Sequence, residues 1–219
     1  YWPGSLLLVA LTMGFAQTVP QTFLSLFVRQ QRISGTGTFF LCYAITAFVV
    51  RVLGRRWPEQ IGREKAVLVG LIATAISMLL FLPSQSDLMI IAPAMAAGVA
   101  HAILFPCTIS LGADAFPNRY RGTGMTLMLG MTELGVALGA HSLGTIVNHW
   151  GFRTMFVCLV FLTLFSSILY AASLRRTKLL KTRLRLNSPA ALSPDRLPTF
   201  ELGKAAKRTS VETPSQTAA

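Results

Sequence analysis

Glu133 is the one acid in the stretch GMTLMLGMTELGVALGAHSLG, residues Gly124–Gly144. Its neighbours are Gly, Ala, Leu, Met, Val, small hydroxyls and His141. A carboxyl taken out of water favours its neutral form, and a group that gains and loses a proton there suits a proton carrier. An acid at the centre of a membrane helix costs roughly 2.5–3.5 kcal/mol on insertion scales, so such groups rarely face lipid. Glu133 is therefore expected to look inward. Its partner in proton coupling would be His101, which lies at a similar depth in the preceding apolar run. The alternative is a neutral Glu hydrogen-bonded between helices. Gln17 and Gln21 are four residues apart, and on a helix that spacing puts both on one face. His141 lies eight residues beyond Glu133, about 12 Å along a helix, which suits packing or gating at the outer end.

The elements that carry these residues follow from composition. The chain has 219 residues, of which 53% are hydrophobic and 13% charged. Soluble domains carry about 25% charged residues. A bilayer core of about 30 Å needs roughly 20 apolar residues of helix. Six runs meet this, at about 5–28, 36–53, 66–82, 88–113, 122–147 and 152–174. No period-two alternation is present, so the runs are expected to be helices. The predicted fold class is all-α, an integral membrane bundle of six transmembrane helices over residues 1–174. Pro20, Pro93 and Pro106 are candidate kinks, Pro106 the candidate gating bend. Gly135 and Gly139, with Gly144 further on, have the small-residue spacing that lets helices approach closely.

Basic residues set the orientation. One row of connections holds Arg55, Arg56, Arg63, Lys65, Arg119 and Arg121, while the other holds Arg29, Arg32 and Arg153. The first row is expected to be cytoplasmic, which puts both chain ends there, in a plasma (inner) membrane. Residues 175–219 form a basic, Pro- and Ser-bearing stretch without periodicity, expected to be a disordered cytoplasmic tail. The net charge of +12 is thus a matter of topology, and no nucleic-acid partner is expected. The three cysteines lie inside apolar runs, which argues against disulfides and metal sites. A chain opening at Tyr1 without a basic n-region reads as a piece of a longer protein rather than a signal peptide.

The stretch RVLGRRWPEQIGREKAV, residues 51–67, resembles the loop signature of the major facilitator superfamily. Arg51 and Gly54 fit its start, Glu59 falls near its acid, and Gly62, Arg63 and Lys65 fit its basic end. A second stretch, residues 114–156, resembles the region around that family's last two helices. There Asp114, Pro117, Arg121, Gly122, Gly135, Gly139, Gly144, Gly151 and Arg153 fit in order. The resemblance implies the C-terminal six-helix half of a twelve-helix transporter, with the missing N-terminal half as partner. It implies secondary active transport of a small solute by alternating access, with no cofactor and no enzymatic activity. The first and fourth spans would face the cavity, with Gln17, Gln21, Tyr43, His101 and Thr108 as candidate solute contacts. The third and sixth would face lipid. Arg121 with Asp114, and Arg63 with Glu59, are candidate ion pairs at the cytoplasmic rim. Two other readings remain: a stand-alone six-helix protein that dimerises, and a membrane-embedded enzyme. Against the latter, the sequence has no Gly-x-Ser-x-Gly and no His-Glu-x-x-His.

Overall fold

The computed structural model describes residues 4–54 and 56–186, with backbone alone at 58, 59, 178 and 180–186. The expected tail beyond 186 and the side chain of Glu59 lie outside the described residues. The chain divides into two units, 1–176 and 177–219. In the second, residues 177–186 are helical. Helix therefore runs past Leu174, where the disordered tail was expected to begin.

Among the described residues, five helices are long and apolar enough to cross a membrane. Helix α1 spans Gly4–Gln31, α2 Thr36–Leu53, α4 Arg63–Phe81 and α5 Ile91–Asp114. Short α3, Trp57–Ile61, sits between α2 and α4, and α6 runs Arg121–Leu186. Two of the six expected spans are thus one continuous element, but it is not straight. Gly151 has φ 79° and ψ 173°, a region essentially reserved for glycine.

Contacts along α1 reveal what that break does. Gly135 packs on the Leu11 carbonyl and Gly14, Gly139 on Phe15 and Thr18, and Gly144 near Phe23. Up to that point both helices are followed in ascending order. Past Gly151 the order reverses. Phe152 and Phe156 meet Phe27, with ring centroids 5.5 and 5.4 Å away, and Ser173 Oγ donates to Ser5 Oγ at 3.0 Å. The limbs 121–150 and 152–176 therefore run antiparallel, with one glycine as the turn.

The core has two parts. Around Phe27 gather Phe39, Phe81, Phe152, Phe156 and Leu159, with Phe81 stacked on Phe156 at 4.8 Å. Toward the other end Val9, Met13, Val67, Leu71, Leu104 and Tyr170 pack together. On α4 the exposed residues Val69, Ile72, Ile76 and Leu79 recur every three or four positions, one apolar stripe. Phe161, Leu164, Phe165 and Ile168 form a similar stripe on the second limb of α6. Helix α2 buries only Phe39.

Pro20 perturbs α1. It has no N–H to donate, so the Ala16 carbonyl loses its helical donor. Residues Val19–Phe23 form a π-turn there. Such a wider turn shifts the register of everything beyond it. Gln17 is half-buried and Gln21 exposed. Helix α5, by contrast, is continuous through Pro106.

Candidate functional site

A cavity of about 50 Å³ lies where α1, α2, α4 and α5 meet. Gln17, Pro20, Tyr43, Thr74, Ser77 and His101 are in its wall, among apolar residues. The Thr74 hydroxyl donates to the Gly70 carbonyl and that of Ser77 to the Pro93 carbonyl, each at 2.9 Å. Their hydrogens are thus occupied. Gln17 Oε1 is buried and accepts no hydrogen bond within the protein. A buried polar atom left in that state costs about 1–3 kcal/mol, so it is poised for water or a polar solute. About 10–15 Å³ of such space suffices to hold one water, so the cavity has room for it.

The His101 ring lies between Phe105, at 5.3 Å, and Tyr43, at 5.9 Å. Tyr43 in turn stacks on Phe39 at 6.2 Å. Close backbone approach holds this arrangement. A methyl on Gly98, one turn before His101, would come within 2.7 Å of the Tyr43 carbonyl. Thr108 is buried, its Oγ1 has no partner, and it lies outside the lining of this cavity.

Glu133 sits elsewhere. No hydrogen bond or ion pair joins it to His101 among the described residues, and it is exposed on the surface of this chain. The first limb of α6 buries Gly124, Met128, Thr132, Gly135, Gly139 and Leu143, one stripe directed at α1 and α5. Helical spacing groups Glu133 with Thr126, Gly130, Ala137, Ala140 and Gly144. A different face carries Leu127, Met131, Leu134 and Leu138. The acid is therefore on a face rich in small residues, with exposed Leu129 one turn before it. His141, exposed, lies at the border between the two.

The glycines of the buried stripe differ in tightness. A methyl at Gly135 would collide with the Leu11 carbonyl oxygen and come within 3.1 Å of Gly14 Cα. At Gly139 it would meet Thr18 Oγ1 at 2.7 Å, and at Gly144 only Phe23 Cζ, at an ordinary 3.8 Å. Thr18 Oγ1 lies 3.2 Å from the Val136 carbonyl and 3.0 Å from that of Gly14, joining the two helices. Sequence reasoning missed Gly14 as the facing half of this contact, although Gly14 and Thr18 have the small-residue spacing themselves.

At the other end, three helix termini share one carboxylate. Asp114 closes α5, while Arg63 opens α4 and Arg121 opens α6. Arg63 Nη1 donates to Asp114 Oδ2 and Ser110 Oγ, both at 2.7 Å, and Arg121 Nη2 donates to Asp114 Oδ1. Each charge stands at the unfavourable end of its own helix dipole, and the cluster offsets that. The expected Arg121–Asp114 pair is present. Arg63 takes Asp114 rather than leaving it to Arg121 alone, a choice the sequence did not indicate because 51 residues separate the two. Gly62, just before α4, has φ 93°, which favours glycine. Lys65 is exposed, as is Arg51 in the last turn of α2, and Gly54 caps that helix with an N–H to the Val50 carbonyl at 2.7 Å.

Apolar helices, a polar pocket among them and paired termini fit a membrane transporter, and sequence comparison supports that fit. A family model of the Major Facilitator Superfamily matches residues 2–210. The chain belongs to this superfamily. Among relatives of this superfamily chain, Multidrug resistance protein 1 of Bacillus subtilis (strain 168) is 24% identical over 129 residues, 58% of this chain and 33% of the relative. The "Uncharacterized MFS-type transporter EfpA" of Mycobacterium tuberculosis (strain ATCC 25618 / H37Rv) is 26% identical over 160 residues, 73% and 30% respectively. The chain thus spans about a third of the length of the curated relatives it matches. It is a multi-pass membrane protein of a transporter family, as the loop signature around Gly62 and Arg63 implied.

Proposed function

We propose that this chain is the C-terminal six-helix half of a secondary active transporter that moves a small solute by alternating access. The two limbs of α6 count as separate crossings, which gives six spans and puts both ends of the chain on the cytoplasmic side. The missing N-terminal half is the partner. The similarity to a multidrug resistance protein favours drug molecules as the solute. Gln17, Tyr43 and His101 are the contacts this half contributes, and Gln21 and Thr108 stand near them in the sequence pattern. The Arg63–Asp114–Arg121 cluster braces the cytoplasmic ends during the rocking motion.

Transport is coupled to protons through Glu133. The observation that carries this is a single carboxyl midway along an apolar limb, on a face where Thr126, Gly130, Ala137 and Ala140 stand beside one leucine, Leu129. A face of Thr, Gly and Ala packs closely on another helix or borders water, whereas a leucine face suits acyl chains. His101, held between Tyr43 and Phe105, contributes to the solute pocket and does not relay the proton by direct contact with Glu133.

Solute-driven pH change in proteoliposomes containing the natural protein tests this. Glu133→Gln is expected to abolish the pH change while leaving solute binding within a few-fold of the parent. Unchanged coupling in that variant would refute the assignment.

A further inference from the structure

Helix α6 outlasts its apolar run. Leu174 is the last residue of that run, and the backbone stays helical through Leu186. Residues 175–186 hold six basic residues and no acid. The preference for basic residues beside the cytoplasmic end of a span accounts for their presence but sets no order among them. Helical spacing gives them one. At 3.6 residues per turn, Arg175, Lys178, Lys181 and Arg185 fall on one half of the helix, together with Thr177 and Thr182. The four leucines of the segment, Leu179, Leu180, Leu184 and Leu186, all fall on the other half, with Arg176 and Arg183 between them. Arg175, Arg176 and Leu179 are exposed.

We propose that residues 175–186 bind anionic phospholipids of the leaflet in which the second limb of α6 ends. The leucine half lies at the boundary of the acyl chains and the basic half among the phosphates. Three features fix the class of partner. Chain continuity brings the segment to a membrane surface, because the apolar span before it ends at Leu174. Leucines gathered on one half call for an apolar phase, and a short helix with a basic face opposite them suits the plane of the interface. Positive charge without an acid in the segment calls for anions, which a zwitterionic lipid does not supply in excess. Arg176 and Arg183 fit as well, since their long apolar stems let the guanidinium reach the headgroups from among the leucines. A soluble polyanion, nucleic acid included, would satisfy the charges and leave the leucines in water. The proposal requires only that this limb crosses the bilayer, and it holds whatever the chain transports.

A fluorophore at Thr182→Cys, on the border of the two halves, tests this in the natural protein with Cys42, Cys107 and Cys158 replaced. The protein is placed in phosphatidylcholine vesicles with or without phosphatidylglycerol, and the quencher is a phosphatidylcholine carrying a nitroxide near its headgroup. Quenching should be present with phosphatidylglycerol. It should fall without that lipid, and also at about 1 M salt, where charges are screened beyond about 3 Å. A basic residue at an anionic membrane surface contributes about fivefold, so Lys181→Gln with Arg185→Gln should lower the ratio of docked to free segment about 25-fold. Lys204→Gln with Lys207→Gln removes the same charge farther along the chain and should leave the ratio unchanged. Leu180→Gln with Leu184→Gln keeps every basic residue and should lower the ratio too. Equal quenching with and without phosphatidylglycerol would overturn the proposal, as would insensitivity to the changes at Lys181 and Arg185. An equal effect of the changes at Lys204 and Lys207 would overturn it by reducing the contact to the overall charge of the chain end. Quenching unaffected by the leucine changes would mean that the segment does not enter the interface, with the same force.

Discussion

Replacing Gly135 with Ala inserts one methyl group into the contact between α1 and the first limb of α6. That methyl would overlap the Leu11 carbonyl oxygen and press on Gly14 Cα at 3.1 Å. Both obstacles are backbone, so no rotamer change relieves them and the helices must separate. Gly144→Ala on the same limb is the matched control, because its methyl meets only Phe23 Cζ at 3.8 Å. The gain in helix propensity, up to about 1 kcal/mol, is common to both and cancels in the difference. What remains is overpacking, about 1–3 kcal/mol. In a domain of this size each kcal/mol shifts the melting temperature by about 2–4 °C. Gly135→Ala should therefore melt about 2–12 °C below Gly144→Ala, measured by the temperature at which the monodisperse peak disappears in detergent. Equal melting of the two variants would refute the close approach of these helices. Gly14→Ala should behave like Gly135→Ala. The double variant should lose less than the sum, because one separation accommodates both methyls.

Other outcomes follow from the same geometry. Gly151→Ala should destabilise by about 1–3 kcal/mol, since its backbone lies in a region other residues avoid, and an unchanged melting temperature would argue against the turn. Gln17→Leu should raise the melting temperature by removing a buried oxygen without a partner, about 1 kcal/mol or more, while weakening solute binding; a lower melting temperature would mean that Gln17 is partnered. Asp114→Asn and Arg63→Gln in a double-mutant cycle should couple by no more than about 1 kcal/mol, because their side chains are 39% and 46% exposed. A coupling of several kcal/mol would show that the cluster is buried in the natural protein.

Much of the fold is readable in the sequence because lipid imposes a strict length and apolarity on each helix. The runs at 36–53 and 66–82 correspond closely to Thr36–Leu53 and Arg63–Phe81. The seven-residue separation of Asp114 and Arg121 likewise indicates their pairing across a short connection. What the sequence does not supply is azimuth. Glu133 and His101 match in depth along their helices, and depth is one coordinate. Which way each side chain points depends on helix rotation, set by contacts such as Gly135 on Leu11 that are distant in sequence. The different exposure of Gln17 and Gln21 is likewise not readable from their four-residue spacing, nor is the π-turn that forms around Pro20 between them. The hairpin at Gly151 lies between these cases: the glycine is visible, while the continuation of helix up to it through Asn148–Trp150 is not.

The most direct test is the sidedness of the connections. With Cys42, Cys107 and Cys158 replaced, single cysteines would be placed at Ser34, Gln85 and His149, and at Arg56, Arg119 and Thr177. A membrane-impermeant maleimide applied to intact cells should label the first three alone, and the others should react after permeabilisation. Labelling of positions 119 and 149 from the same side would mean that the first limb of α6 does not cross the bilayer, and the six-crossing transporter half would be contradicted.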